Sequence, residues 1–169
     1  PTSTPIPEPP VISARVVKIF KEGDFWRYTV DGRQQRIRGM GYNPTYVGDN
    51  LPDAERESLY ERDFNLMKSM GINTILGWFN QEFDALTLSV AERYGIGVVV
   101  PHMFPEDVDY TNPDVRLTIK AEVLDRVRLY KDFPAVRVWG IGNEVFHDMN
   151  LRKYPFNKDI QKKVFSEFY

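Results

Sequence analysis

The sequence predicts an α/β fold built on a parallel β-sheet, with a β-hairpin in front of it. From residue 35 onward, β-rich apolar runs alternate with segments whose apolar residues recur at helical spacing. Helices placed between strands indicate parallel strand pairing with right-handed crossovers. The continuous apolar run Ile96–Val100 is also typical of a parallel strand that is covered on both faces.

The first third of the chain predicts a linker and then a hairpin. Residues 1–12 contain the run PTSTPIPEPP, which is typical of a stiff, extended linker. Such linkers often follow a removed signal or an upstream module, which favours an extracellular or cell-envelope location. A boundary drawn through a longer protein at this point would explain the composition equally well. Residues 13–34 predict the hairpin, with strands Arg15–Phe20 and Phe25–Val30 joined by a turn over Lys21-Glu22-Gly23-Asp24.

Residues 35–169 predict the larger unit of alternating strands and helices. Tyr60, Phe64 and Met67 recur at helical spacing and place the first helix, and the second is placed in the same way by Phe83, Leu86, Val90 and Tyr94. Gly71 and Gly95 end these two helices, and Asn112 before Pro113 is typical of a helix N-cap. In chain order, the predicted elements are the strand Gln35–Met40, the helix Ser58–Met70, the strand Asn73–Phe79, the helix Glu82–Tyr94, the strand Ile96–Val100, a helix after Asn112, the strand Val136–Gly140 and a helix over Asp159–Phe168.

Size and composition exclude several classes of protein. The 169 residues are too few for a complete (β/α)8 barrel, which typically needs about 250. A net charge of -2 gives no overall electrostatic support for a nucleic-acid partner, and no apolar run approaches the roughly 20 residues of a membrane span. With no cysteine and only His102 and His147 as histidines, no metal centre is expected. No phosphate-binding glycine loop of P-loop or dinucleotide type follows a strand, and no cofactor is expected.

Polar and aromatic side chains follow each of the four predicted parallel strands. In parallel α/β folds the chemistry lies at the carboxyl ends of the strands. Aromatic faces stack on the C–H surfaces of sugars, and amides and carboxylates bind hydroxyl groups, so this set suits a carbohydrate. The candidate residues are Tyr42 and Asn43 after the first strand, Trp78 and Asn80 after the second, His102 after the third, and Asn143 and Glu144 after the fourth.

Each of these candidates also has a purely structural interpretation. Trp78 could pack on its own loop, the ring of His102 could bond a backbone carbonyl, and Asn43 before Pro44 could form a turn. Glu144 at the mouth of a parallel sheet can serve as a general acid if its surroundings raise its pKa, but a solvated glutamate in a salt bridge is the commoner outcome. The residues by themselves leave these alternatives open.

Three segments resemble a known family: Arg38–Pro44, Arg62–Ile75 and Val138–Val145. They are similar to the first half of a glycoside hydrolase TIM barrel, in the clan with catalytic glutamates on strands four and seven. The nearest likeness is to the catalytic barrel of glycoside hydrolase family 2 and to the related β-glucanosyltransferases. The resemblance implies the N-terminal half of a (β/α)8 barrel, with about four βα units after the hairpin.

The resemblance implies a retaining glycosidase or transglycosidase acting on β-linked glycosides. Glu144 matches the general acid/base, and Asn143 matches the residue that binds the 2-hydroxyl of the sugar. The strand-seven nucleophile lies outside this chain, and Gly77 stands where the clan usually has an arginine. We therefore expect a carbohydrate substrate, and either self-association or pairing with a complementary half-barrel. The alternatives are a non-catalytic carbohydrate-binding or scaffold module and an unrelated flavodoxin-like domain.

Overall fold

Two β-sheets organise the chain, a three-stranded antiparallel sheet followed by a four-stranded parallel one. The computed structural model describes residues 13–44, 51–79, 83–105, 107–151 and 155–168. The predicted linker over residues 1–12 and the site candidate Asn80 lie outside these ranges. Within them, no helix is long and apolar enough to cross a membrane.

The antiparallel sheet confirms the predicted hairpin. It consists of β1 (Val17–Glu22), β2 (Phe25–Val30) and a short third strand, β3 (Arg33–Gln34), which the sequence did not predict. Asp31 and Gly32 form the second turn with φ of 50° and 75°, the left-handed values that a two-residue hairpin loop requires. The strand predicted from Arg15 begins two residues later, and the Arg15 guanidinium donates instead to Asp31 at 3.1 Å.

The parallel sheet confirms the predicted α/β class. Its strands add side by side in chain order, and a helix connects each strand to the next. The elements are β4 (Gly39–Gly41), α1 (Asp53–Ser69), β5 (Thr74–Leu76), α2 (Ala85–Arg93), β6 (Gly97–His102), α3 (Pro113–Tyr130) and β7 (Val136–Ile141), followed by α4 (Val145–Leu151) and α5 (Lys158–Phe168).

The first parallel strand is shorter than predicted and begins four residues later. The sequence predicted a strand from Gln35, whereas β4 pairs with β5 only from Gly39. The side chain of Asn73 accepts from the Arg38 N–H at 2.9 Å and donates to the Arg36 carbonyl at 2.9 Å. These side-chain bonds satisfy the backbone before β4 in place of a strand partner.

The core lies between the parallel sheet and its helices. The predicted α1 face is confirmed, since Tyr60, Phe64 and Met67 are all buried. On α2, which packs against both α1 and β6, Leu88 is completely buried and Leu86 only partly so. A second buried cluster under the ends of β6 and β7 comprises Phe104, Tyr110, Ile119, Met149 and Phe165.

Alternate residues of the parallel strands separate a covered face from an open one. Ile75 and Val98 pair side by side and are buried in the core with the helices. The next pair, Leu76 and Val99, lies on the opposite face, where Leu76 is 36% exposed. The strands β4 and β7 occupy the two outer positions of this sheet. An apolar sheet face and two outer strands are both surfaces on which further chains can pair.

We expect loss of the Asp84 cap to destabilise α2. Asp84 accepts from the Thr87 N–H at 2.9 Å and from the Thr87 hydroxyl at 2.8 Å, and it pairs with Arg56. Asp84→Ala should lower the free energy of unfolding by about 1 kcal/mol, measured by urea denaturation. Asp84→Asn is the matched control, because it keeps an acceptor for Thr87 and should lose less.

The same carboxylate predicts a pH dependence of stability. Burial opposes ionisation, but the hydrogen bonds from Thr87 and Arg56 outweigh it and lower the pKa of Asp84. The contribution to stability is therefore present above the unfolded-state value of about 3.9 and is lost as pH falls through the folded-state pKa. Equal free energies of unfolding of the wild type and Asp84→Asn at every pH between about 3.9 and the folded-state pKa of Asp84 would contradict this prediction.

We also expect the isolated chain to self-associate through its open sheet face. Sedimentation velocity over about a hundredfold range of protein concentration should show that the average mass rises with concentration. Leu76→Lys should shift that rise to higher concentration, because a charge on the open face opposes its burial. A concentration-independent monomer for both proteins would contradict the expectation.

Candidate functional site

The carboxyl ends of the four parallel strands form one edge of the molecule, and the predicted site residues follow these ends. Gly41 and Leu76 pair across β4 and β5, and His102 and Ile141 pair across β6 and β7. Asn143 and Glu144 follow β7, and both are exposed. Because neighbouring strands lie about 4.8 Å apart, the ends of β5 and β7 are separated by roughly 10 Å.

The turn that follows β7 carries the candidate acid in a strained conformation. The Gly142 N–H donates to the His102 carbonyl at 2.7 Å, which extends the pairing of β6 with β7 by one bond. Gly142 and Glu144 then adopt φ of 71° and 50°, both left-handed. For a residue with a side chain this conformation costs on the order of 1–3 kcal/mol, and such residues cluster at functional sites. The carbonyl of Glu144 then accepts from the Asp148 N–H at 3.0 Å within α4.

Aromatic side chains pack against this turn. A methyl group placed on Gly142 would lie 3.1 Å from Cδ2 of Phe104, so the close approach of that ring requires glycine. Phe104 packs edge-on against Phe165 of α5, with 5.4 Å between ring centroids. Phe165 also contacts Phe146 at 5.6 Å. These rings connect the turn to both the loop after β6 and α5.

A cavity of about 270 Å³ opens beside the turn. Its walls combine apolar rings with the polar groups of the turn, and they include Ile141, Asn143, Glu144, Phe146, His147 and Phe165. Phe146, Phe165 and Phe104 were not singled out from the sequence. Phe146 lies two residues from Glu144 and could have been found by proximity, whereas Phe165 comes next to the turn only through the packing of α5.

Helix α5 is held in place by a buried amide. Gln161 accepts from the Tyr110 N–H at 2.7 Å, and its Nε2 donates to Asp109 at 2.5 Å. Asp109 also accepts from the Thr111 N–H at 2.9 Å and from its hydroxyl at 2.6 Å. Because Phe165 lies one helical turn after Gln161, these bonds also fix the ring under the site.

His102 is buried at the end of β6, with 5% of the residue exposed. Neither ring nitrogen has a hydrogen-bond partner among the described residues, so the backbone-carbonyl contact considered from the sequence is not what this part of the structure shows. The ring packs against Phe104 with 5.8 Å between centroids. Burial lowers the pKa of His102, and among the nearby charges Glu122 opposes this change while Arg126 reinforces it.

The residues after β4 divide between the core and the rim. The ring of Tyr42 is buried against Phe64, and its hydroxyl donates to Asp63 of α1 at 3.0 Å. The structure thus places Tyr42 in the core, where it anchors the end of β4 to α1. Asn43 is half-buried beside it.

Trp78 lies on the open part of this edge. It follows β5 by two residues and is 49% exposed, and the neighbouring Phe79 is 61% exposed. The indole approaches the backbone of Gly41 at the end of β4. Trp78 therefore packs across the strand pair while keeping about half of its surface open to a ligand.

No protein-family model matches this sequence. In sequence, the chain is similar to a β-glucuronidase from Formosa agariphila, with 27% identity over 124 residues, which are 73% of this chain and 12% of that protein. The chain therefore spans only a small part of the length of this relative.

Solved structures show the same arrangement of elements. A β-D-mannosidase from Dictyoglomus thermophilum superimposes with a TM-score of 0.61 at 13% identity, over 91% of this chain and 20% of the mannosidase. A β-glucuronidase from glycoside hydrolase family 2 superimposes with a TM-score of 0.52 at 18% identity, over 84% of this chain and 14% of the glucuronidase. At these identities the likeness shows a shared α/β fold.

We expect His102 to titrate below its ordinary range. Its pKa is lowered by burial from an unperturbed value of about 6.5. The folded chain therefore disfavours the imidazolium, and stability is lost as pH falls from about 6.5 through the folded-state value. Proton NMR of the imidazole, assigned by its loss in His102→Gln, measures this pKa directly. A midpoint at or above 6.5, about that of a free imidazole, would contradict the buried, uncharged assignment.

Proposed function

We propose that this chain is the N-terminal half of a (β/α)8 barrel from a retaining glycosidase or transglycosidase that acts on β-linked glycosides. The observation that carries the proposal is the turn after β7, in which Glu144 is exposed, has a left-handed backbone conformation and lies beside a cavity. The sequence similarity to a β-glucuronidase supports the same class of reaction. The four parallel strands joined by helices support the proposal, because the first half of such a barrel has the same order of elements.

In the proposed reaction, Glu144 donates a proton to the glycosidic oxygen while a second carboxylate attacks the anomeric carbon. Retaining enzymes hold these two carboxyl groups about 5–5.5 Å apart. The leaving group departs as an alcohol, and the sugar is left esterified to the second carboxylate. Glu144 then removes a proton from an incoming water or sugar hydroxyl, whose oxygen attacks the anomeric carbon and releases that carboxylate. Asn143, adjacent to Glu144 in the same turn, holds the 2-hydroxyl of the reacting sugar. The second carboxylate comes from a residue outside this chain.

The rest of the strand edge orients the sugar. Trp78 stacks on the C–H face of a sugar unit that lies away from the bond that is cleaved, and Asn43 and Asn80 bind hydroxyl groups. His102 supports the site in its uncharged form, as the lowered pKa favours. Tyr42 contributes indirectly, because its hydroxyl is bonded to Asp63 and its ring is buried.

A carbohydrate-binding module is the second candidate function. The half-exposed indole of Trp78 favours it, because stacking on a sugar requires no second carboxylate. In that case the strand edge would bind oligosaccharides without cleaving them, and Glu144 would only accept hydrogen bonds from hydroxyl groups.

Substitution of Glu144 tests the catalytic proposal. In a longer form of the protein that supplies the second carboxylate, Glu144→Gln should lower kcat for unactivated glycosides by about 10²–10⁴-fold, because proton transfer is lost while the shape is kept. Aryl glycosides with good leaving groups should lose much less, because they need little protonation. Azide should partly restore their turnover and yield a glycosyl azide of retained configuration.

The matched control is Glu167→Gln, the same chemical change at an exposed position on α5. It should leave all of these rates unchanged. Unchanged turnover of unactivated glycosides in Glu144→Gln would show that Glu144 is not the acid/base. If neither protein turns over any glycoside but both bind oligosaccharides, the second candidate function is the correct one.

A further inference from the structure

The end of β4 and the ring of Trp78 approach each other unusually closely. A methyl group placed on Gly41 would lie 3.0 Å from Cζ2 of Trp78, 3.2 Å from Nε1 and 3.3 Å from Cε2. Carbon atoms in good contact are about 3.5–4.0 Å apart, so a side chain at residue 41 would overlap the indole. With a methyl group at residue 41, the indole of Trp78 would have to shift by a few tenths of an ångström from this position.

The three distances also indicate how the indole meets the strand. Cε2 lies between Nε1 and Cζ2 in the ring, yet it is farther from the added methyl group than either neighbour. The approach is thus oblique and directed at the Nε1–Cζ2 edge of the ring. Trp78 is 49% exposed, so about half of its surface can be reached by a ligand.

The surface under the indole is fixed by the sheet. Gly41 pairs with Leu76, and the Tyr42 N–H donates to the Leu76 carbonyl at 3.0 Å, so pairing of β4 with β5 continues past Gly41. Tyr42 is itself anchored by its bond to Asp63. Because the backbone on both sides of Gly41 is held, an added side chain would displace the indole rather than the strand.

The geometry points to Gly41 as the positioning residue of a carbohydrate-stacking surface formed by Trp78. This inference rests on the proposed function in one respect, the sugar ligand. Gly41 holds the indole at the strand edge, three strand spacings or about 14 Å from the end of β7. One face of the ring then stacks on the apolar face of a sugar while the polar groups after β7 engage the same oligosaccharide. Gly41 contacts no substrate and acts only through the indole.

Gly41→Ala tests this, with Gly39→Ala as the matched control in the same strand. A methyl group on Gly39 would meet its nearest atoms at 3.6 Å, an ordinary contact. Both variants should keep the melting temperature, because the ring end of Trp78 can rotate away. The near-ultraviolet circular dichroism of tryptophan should change in Gly41→Ala only. A general structural effect of an added methyl group would change the signal equally in both variants.

Binding is measured on the 169-residue chain by tryptophan fluorescence, with cellotetraose and mannotetraose as the two probes. Trp78→Phe identifies the contribution of Trp78 among the three tryptophans. We expect a saturable change with at least one probe in the wild type and in Gly39→Ala. In Gly41→Ala the binding should be about tenfold weaker, the scale of one lost stacking contact.

Equal binding and equal circular dichroism in Gly41→Ala and Gly39→Ala would overturn the role of Gly41. A wild-type fluorescence change that survives in Trp78→Phe, or no change with either probe, would overturn the stacking surface itself. Neither result would decide the acid/base role of Glu144, which its own substitution tests. The two proposals therefore fail on different measurements.

Discussion

The pairing of β6 with β7 is the interaction on which the candidate site depends. Side by side, these strands bring His102 next to Ile141, and a further bond joins the Gly142 N–H to the His102 carbonyl. The register of this pair shifts between Val98 and Val99, so one residue of β7 is accommodated before the strands reach the site. Because side chains alternate with a period of two, that shift decides which face every later side chain of β7 occupies.

Aromatic packing then stabilises the turn that follows β7. Phe165 makes edge-to-face contacts with Phe104 and Tyr110 of the loop after β6 and with Phe146 of α4. The buried amide of Gln161 holds α5 to the loop after β6 and so keeps this ring in place. The left-handed backbone at Glu144 is thus maintained by the surrounding packing, as strained backbone generally is.

Apolar side chains are exposed both on the open face of the sheet and at the open edge of the site. Leu76 and Trp78 both remain exposed on the side away from the helices, near the strand ends. The chain spans 20% or less of the solved structures to which it is similar. Under the proposed function, further strands of a longer protein would pack on this face and would bring a second carboxylate towards Glu144.

The sequence by itself determined the local elements and their class. The helical spacing of Tyr60, Phe64 and Met67 predicted a face that is indeed buried, and the cap at Asn112 lies where α3 begins. Parallel order also followed from the sequence, because helices between strands leave few other topologies. These features depend on neighbouring residues, which a sequence displays directly.

Only the tertiary structure decided which residues meet. Asn73 replaces a strand partner before β4, Tyr42 belongs to the core, and the indole of Trp78 packs against Gly41. Phe165 lies 21 positions after Glu144 in the chain and reaches its turn through contact with Phe146. Such contacts join residues that are distant in sequence, and they arise from packing and strand register, which single-sequence patterns do not encode.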